Sequence, residues 1–197
     1  MSNLLPRRRS NTQKIGRGLI GAIQEGDYDK MSIFLKKSSG SEKKLRKILS
    51  VSDESGQQPI HIAASGGDIE AIKILVEEDV QCINSLDGSQ WTPLLCAAAN
   101  SHFEACSYII KIPGCNIMAQ NKSGTSALHQ LVRKIPSEDK KDIYAELLEA
   151  YFSSPNVVVD VQNKLLETPL HQASMRGNII AVKALLGNGA DISIRSS

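Results

Sequence analysis

Cysteine and histidine are the side chains through which this sequence could bind a transition metal or form a nucleophile–base pair. The cysteines are Cys82, Cys96, Cys106 and Cys115. They have neither a C-x-x-C spacing nor another metal-ligand spacing, and Cys96 and Cys106 lie in apolar segments. This pattern predicts reduced thiols in the core of an intracellular protein.

Three of the four histidines, His61, His129 and His171, recur at the same point of similar segments. This recurrence favours a structural role in each segment over a shared metal site. The fourth, His102, is expected to cap or border a helix. No phosphate-binding glycine loop, nucleophile elbow or His-Glu-x-x-His motif occurs, since Gly16-Arg17-Gly18 lacks the third glycine. The sequence therefore predicts no enzyme, no cofactor, no metal and no small-molecule substrate.

The composition is typical of a soluble globular protein, with 41% hydrophobic and 22% charged residues and a net charge of +2. Aromatic residues make up 4%, which favours a core of Leu, Ile, Val and Ala in closely packed helices. No apolar stretch could span a bilayer, and the N-terminus lacks the apolar block of a secretory signal. We therefore expect no membrane insertion, a cytoplasmic or nuclear location, and, without interleaved aromatic and basic residues, no nucleic acid partner.

The elements that position these side chains are repeated along the chain. Gln58, Thr92 and Ser126 occupy equivalent positions 34 residues apart, and Thr168 follows after 42 residues, so the third segment contains an insertion. In each segment a turn that begins with Asp or Asn precedes a short Ala- and Leu-rich helix and a second, amphipathic helix. Neither helix can bury its apolar face alone, so the segments are expected to stack.

This pattern resembles the ankyrin repeat. The motif is carried by ETPLHQAS, GN and AVKALLGNGADI within residues 167–192 and by QQPIHIAASGGDIEAIKILV at residues 57–76. The second segment departs from it with Leu95 in place of the histidine and Gln90 in place of the turn glycine, and the third has Ser126-Ala127 in place of Thr-Pro. The resemblance implies an all-α solenoid of stacked helix-turn-helix units with β-hairpin or turn fingers. It also implies that the recurring histidine bonds to the backbone of the neighbouring repeat.

The resemblance covers residues 17–197 and divides the chain as follows. We expect a disordered basic tail (1–16), a degenerate capping repeat with an insertion (17–52), and repeats at 53–86, 87–120, 121–162 (with a helical insertion) and 163–197. The second helix of the last repeat lacks a polar outer face. We therefore expect the array to continue beyond Ser197, with a terminal edge covered by a partner or a second copy as the alternative.

Ankyrin arrays generally bind other proteins through their finger tips and the concave face of their first helices. Carried over to this chain, the expected partner-binding residues are Trp91, Asn100, Lys122, Arg133, Lys134, Leu165, Met175 and Arg176. Their cations and apolar groups predict a protein partner with an apolar anchor and acidic flanks, such as an extended segment. Trp91, the single tryptophan, either contacts the partner or packs over the adjacent finger and stiffens the array.

Two further segments have more than one interpretation. The sequence PRRRSNTQK at residues 6–14 fits a basophilic kinase site at Ser10, a polyanion-binding or nuclear signal, or a solubilising tail. The insertion at residues 134–156 fits a lengthened outer helix or a contact ridge. Three functions remain open: an adaptor or scaffold, the N-terminal targeting module of a longer enzyme or signalling protein, and an inhibitory protein that masks its target.

Overall fold

The computed structural model describes residues 10–37 and 41–197. Within these residues the regular structure consists of eleven α-helices: α1 (Asn11–Glu25), α2 (Tyr28–Lys36), α3 (Glu42–Leu49), α4 (Pro59–Gly66), α5 (Ile69–Glu78), α6 (Pro93–Ala99), α7 (Phe103–Ile109), α8 (Ala127–Val132), α9 (Lys141–Phe152), α10 (Pro169–Arg176) and α11 (Ile179–Gly187). Short 3₁₀ turns cover Val80–Asn84 and Glu138–Lys140. The predicted all-α architecture is confirmed. The expected β-hairpins are reduced to turns, with one isolated antiparallel bridge, Gln120 to Ser126, in the described ranges.

The helices from α4 onward form four pairs in two layers. The first helices of the pairs (α4, α6, α8 and α10) stack on one another in chain order, and the second helices (α5, α7, α9 and α11) form an outer layer. The N-cap residues of the first helices are the equivalent positions identified in the sequence: Gln58, Thr92, Ser126 and Thr168. Buried alanines such as Ala63, Ala64, Ala97 and Ala98 allow the first helices to approach closely.

Helices α1 to α3 pack on the first pair, and α1 begins earlier than expected. Residues 11–16 were assigned to the disordered tail, but they form the first turns of α1. The cause is a capping box, in which the Ser10 hydroxyl accepts from the Gln13 N–H at 3.3 Å and the Gln13 side chain accepts from the Ser10 N–H at 3.2 Å. Ile15 is buried. The rest of the predicted tail, residues 1–9, lies outside the described residues.

The insertion in the third repeat folds as an outer-layer helix. Two tyrosines of α9 are fully buried: the Tyr144 hydroxyl donates to the Leu131 carbonyl at 3.0 Å, and the Tyr151 hydroxyl donates to the Ile117 carbonyl at 2.7 Å. The Tyr144 ring also lies 4.9 Å, centroid to centroid, from that of Phe103. These contacts fix α9 on α8 of its own repeat and on the preceding repeat, as the lengthened-helix interpretation requires. A contact ridge on its exposed side stays a prediction.

Candidate partner-binding groove

Each repeat begins with a finger closed by the same set of hydrogen bonds. In the first finger a carboxylate oxygen of Asp53 accepts from the backbone N–H groups of Ser55 and Gln57, both at 2.9 Å. The Asp53 N–H donates to the Gln57 carbonyl at 2.9 Å. The same arrangement recurs at Asp87, Asn121 and Asn163. The turns predicted at Asp and Asn are therefore side-chain-closed fingers.

The fourth residue of every finger has a left-handed backbone. The values of φ are 82° at Gly56, 61° at Gln90, 74° at Gly124 and 57° at Leu166. This conformation strains residues that carry a Cβ atom, so two of the four fingers contain a strained non-glycine residue. Leu166 is the bulkier of the two, and it lies in the finger that forms one wall of the groove described below.

Two buried histidines join the second and the fourth finger to the repeats that precede them. The Nε2 atom of His61 lies 3.0 Å from the carbonyl oxygens of both Ser85 and Trp91, and that of His129 lies 3.1 Å from the Glu167 carbonyl. Their Nδ1 atoms accept from the N-cap backbone N–H, so Nε2 carries the proton that is donated. Burial lowers the pKa of both imidazoles, which favours the neutral form. Both histidines therefore bond to the backbone of the neighbouring repeat, as the resemblance to ankyrin repeats implies.

The other two histidines are placed differently. His171 makes the same local contact as its counterparts, with Nδ1 2.9 Å from the Thr168 hydroxyl oxygen. His102 immediately precedes α7, as expected for a residue that borders a helix, and its Nε2 atom lies 2.9 Å from the Ser65 carbonyl oxygen of the preceding repeat. In the part of the chain that the structure describes, no three His, Cys, Asp or Glu side chains are grouped so as to hold a metal ion.

A groove of about 510 Å³ lies between the third and fourth repeats. The residues that line it come from two fingers and from the ends of two first helices: Ser123, Thr125, Arg133, Asn163, Lys164, Leu165, Glu167, Gln172, Met175 and Arg176. Four of the eight predicted partner-binding residues are among them, namely Arg133, Leu165, Met175 and Arg176. We call this feature the 3–4 groove.

The remaining four predicted residues lie elsewhere. The Asn100 amide donates to the Cys96 carbonyl at 2.9 Å, and the Lys122 ammonium donates to the Gly88 carbonyl at 2.6 Å. Lys134 is half-buried, and its carbonyl accepts from the Asn178 amide at 2.8 Å. Trp91 is half-buried and packs against the hydrophobic core, and its contact with a partner stays a prediction. None of the four lines the 3–4 groove.

Gln172 was not singled out in the sequence, although a signal existed. It directly follows the recurring histidine, a position that is Ile62 in the first repeat and Cys96 in the second. Gln130 has the same place in the third repeat, and both glutamines are buried. A polar amide at an otherwise apolar, buried position indicates a specific hydrogen-bonding need.

The remaining groups that could react or be modified are the cysteine thiols and the Ser10 hydroxyl. All four cysteines are free thiols, and three of them are buried: Cys82, Cys96 and Cys106. Burial raises the pKa of Cys82 and Cys96 to about 12, that of Cys115 to about 11, and that of Cys106 further still. Ser10 is exposed at the N-cap of α1, whereas the arginines of its predicted kinase motif lie outside the described residues.

An apolar face lies on the far side of the fourth repeat. It is lined chiefly by Leu170, Val182, Leu186, Ile192 and Ile194. Leu186 is 46% exposed and Ile192 is 80% exposed. This is the apolar edge that the sequence predicted for α11. Among the helices of residues 10–37 and 41–197, none combines the length and apolarity needed to cross a membrane.

Stacked helix pairs, each introduced by a side-chain-closed finger, define a helical-repeat solenoid of the protein-interaction class. The family model for ankyrin repeats in three copies matches residues 19–121, and the model for a single ankyrin repeat matches residues 166–197. The chain belongs to the ankyrin-repeat family.

Similar curated proteins contain the repeats as part of a larger chain. The chain is 28% identical to human transient receptor potential cation channel subfamily A member 1 over 68% of its own length and 12% of the channel's. It is 26% identical to a probable serine/threonine-protein kinase of Dictyostelium discoideum over 74% of its length and 17% of the kinase's. With the Caenorhabditis elegans poly [ADP-ribose] polymerase tankyrase it shares 24% identity over 67% of its length and 6% of that protein's. The chain thus spans less than a fifth of each of these relatives.

Proposed function

We propose that this array is a non-catalytic adaptor or scaffold that binds a partner protein on its concave side, chiefly through the 3–4 groove. The observation that carries the proposal is the convergence of Arg133, Leu165, Met175 and Arg176, from two adjacent repeats, on one groove. Exposed apolar groups beside cations suit an interface with an apolar anchor and charged flanks. The predicted cytoplasmic or nuclear location fits the free, largely buried thiols.

Affinity capture from cell lysate with three forms of the chain tests this proposal. The wild type is compared with Arg133→Glu/Arg176→Glu, which reverses the charge of the groove, and with Lys111→Glu/Lys183→Glu, which makes the same net change at exposed residues outside it. We expect a protein that is retained by the wild type and by the control but lost from the groove variant. If every captured protein survives reversal of the groove charge, the proposed binding face is wrong.

A second candidate function is a targeting or regulatory module within a longer signalling protein or enzyme. It is favoured by the relatives, which contain the similar region as a small part of a channel or of a kinase. An immunoblot of cell extract with an antibody against the array tests it, because a module is detected at a mass well above that of 197 residues. A band at the size of this chain alone contradicts it.

A further inference from the structure

The 3–4 groove has positive charge that no neighbouring carboxylate neutralises. Arg133, Lys164 and Arg176 are exposed in its lining, and none of them belongs to an ion pair between described residues. Glu167 is the single acidic side chain in the lining. Its carboxylate accepts from the amides of Asn163 at 2.9 Å and Gln172 at 3.0 Å, and these bonds lower its pKa. The three cations therefore remain available to a ligand.

The same groove contains a hydrogen-bond acceptor without a donor. Gln172 is 6% exposed, and its Nε2 atom donates to Glu167. Its Oε1 atom is buried and has no hydrogen-bond partner among the described residues. A flipped amide would turn this oxygen toward the Glu167 carboxylate, so the orientation follows from the bond to Glu167. A buried acceptor without a donor is destabilising.

Two apolar side chains lie beside the cations. Leu165 at the finger tip is 60% exposed, and Met175 near the end of α10 is 67% exposed. Both line the groove. Side chains with this exposure gain apolar contact when a ligand covers them, and methionine adapts readily to the shape of its partner.

We propose that the 3–4 groove binds an extended peptide segment in which an Asp or Glu is adjacent to a large apolar residue. This inference rests on the proposed function and names the chemistry of the partner. The acidic side chain pairs with Arg133, Lys164 and Arg176, and the apolar residue covers Leu165 and Met175.

The charge of the lining suits an acidic segment. Glu167 has a lowered pKa and stays ionised, so the lining combines three cations with one carboxylate and keeps a net positive charge. A net positive groove attracts an anionic side chain. Many phosphate sites surround the anion with backbone N–H donors at a helix N-terminus, whereas the cations here are exposed side chains.

The first experiment is selection of a random dodecapeptide phage library on the immobilised chain. We expect enriched sequences to contain Asp or Glu directly beside Leu, Ile, Met or Phe. The best sequence is then synthesised with a fluorophore, together with its Asp→Asn or Glu→Gln counterpart and a phosphoserine counterpart, and binding is measured by fluorescence anisotropy. Replacement of the carboxylate by the amide is expected to weaken binding roughly tenfold or more.

Variants of the chain complete the test. Arg133→Glu/Arg176→Glu is expected to lose binding to the same degree, and Lys111→Glu/Lys183→Glu to bind within about twofold of wild type. Unfolding in urea checks that each variant is folded.

The outcomes separate this inference from the proposed function. A consensus without acidic residues, tighter binding of the phosphoserine peptide, or binding that Arg133→Glu/Arg176→Glu leaves unchanged would overturn the acidic-segment proposal. The proposed function fails only if the proteins captured from lysate are also insensitive to that double variant. If the selected peptides are not acidic but lose binding to Arg133→Glu/Arg176→Glu, the acidic-segment proposal fails and the proposed function stands.

Discussion

The Nε2 atom of His129 lies 3.1 Å from the carbonyl oxygen of Glu167, which is 38 residues further along the chain. His61 makes the same bond to Trp91 at 3.0 Å over 30 residues. The longer spacing arises from the insertion, which is placed in the outer layer as α9 and leaves the stacking of first helices unchanged. A neutral imidazole thus helps to hold the finger that forms one side of the 3–4 groove, together with the bond from the Lys164 N–H to the Ser123 carbonyl at 3.0 Å.

The buried histidines predict a loss of stability in mild acid. Burial lowers the pKa of His61 and His129 below the value of about 6.5 that histidine has in an unfolded chain. Below that pH the unfolded state binds protons that the folded state does not, so the free energy of unfolding decreases as pH falls. We expect the urea midpoint to decrease from about pH 7.5 to about pH 5.5, measured by circular dichroism.

The double variant His61→Gln/His129→Gln is the control for this prediction. Glutamine retains an N–H donor but does not titrate, so the variant is expected to be less stable at neutral pH and to show a smaller dependence on pH. A wild-type midpoint that is constant or rises toward acid contradicts the assignment of neutral imidazoles.

The sequence predicted the repeated parts of this fold well because their causes are local. A helix cap such as Thr168 or a finger such as that at Asn163 is specified by a few neighbouring residues. The start of α1 was predicted too late, since its capping box uses Ser10 and Gln13 rather than the motif of the other repeats. Features that recur were therefore easier to predict than features that occur once.

The left-handed backbone of Leu166 predicts that glycine at this position stabilises the protein. Its φ of 57° is unfavourable for a residue with a Cβ atom, and its side chain is 48% exposed. Leu166→Gly is expected to raise the free energy of unfolding by about 1 kcal/mol, measured in urea. The reciprocal control is Gly124→Ala in the preceding finger, where an added Cβ would lie 3.0 Å from the Lys164 nitrogen. This variant is expected to be destabilised, and a stabilised Gly124→Ala would refute the argument from backbone strain.

Asn178 connects the third and fourth repeats behind the groove. Its amide nitrogen lies 3.0 Å from the Val132 carbonyl oxygen, 2.8 Å from that of Lys134 and 2.8 Å from the Tyr144 hydroxyl. Its side-chain oxygen also caps α11. Asn178→Ala is expected to lower the free energy of unfolding by about 2–4 kcal/mol, because it leaves buried carbonyls unpaired and removes the cap.

Asn188→Ala is the matched control for Asn178→Ala. The Asn188 amide makes one bond, to the Ala184 carbonyl at 2.8 Å, and the residue is exposed. Its replacement is expected to cost less than about 1 kcal/mol in the same urea titration. Equal losses for the two variants would show that burial of the Asn178 network contributes nothing.

The candidate site was harder to predict from sequence than the fold. The exposed positions of one repeat follow from the family motif, and Arg133 and Arg176 are both exposed and line the 3–4 groove. Their contact with a partner stays a prediction. Convergence between repeats depends on stacking geometry and on side-chain direction. The Lys122 ammonium, for example, bonds to the Gly88 carbonyl and does not line the groove. Gln172 was missed although it follows the recurring histidine at a position that is apolar in the first two repeats. Its unpaired oxygen is apparent only in the structure.

Replacement of Trp91 tests whether this side chain stiffens the array or contacts a partner. Because the side chain is half-buried against the core, Trp91→Ala is expected to lower the free energy of unfolding by about 1–3 kcal/mol. Because it does not line the 3–4 groove, the folded variant is expected to bind a groove-selected peptide within about twofold of wild type. Ser89→Ala, at an exposed residue of the same finger, is the control for both measurements. A loss of affinity of tenfold or more in folded Trp91→Ala, with Ser89→Ala unaffected, would instead make Trp91 a direct contact and extend the binding surface to the second repeat.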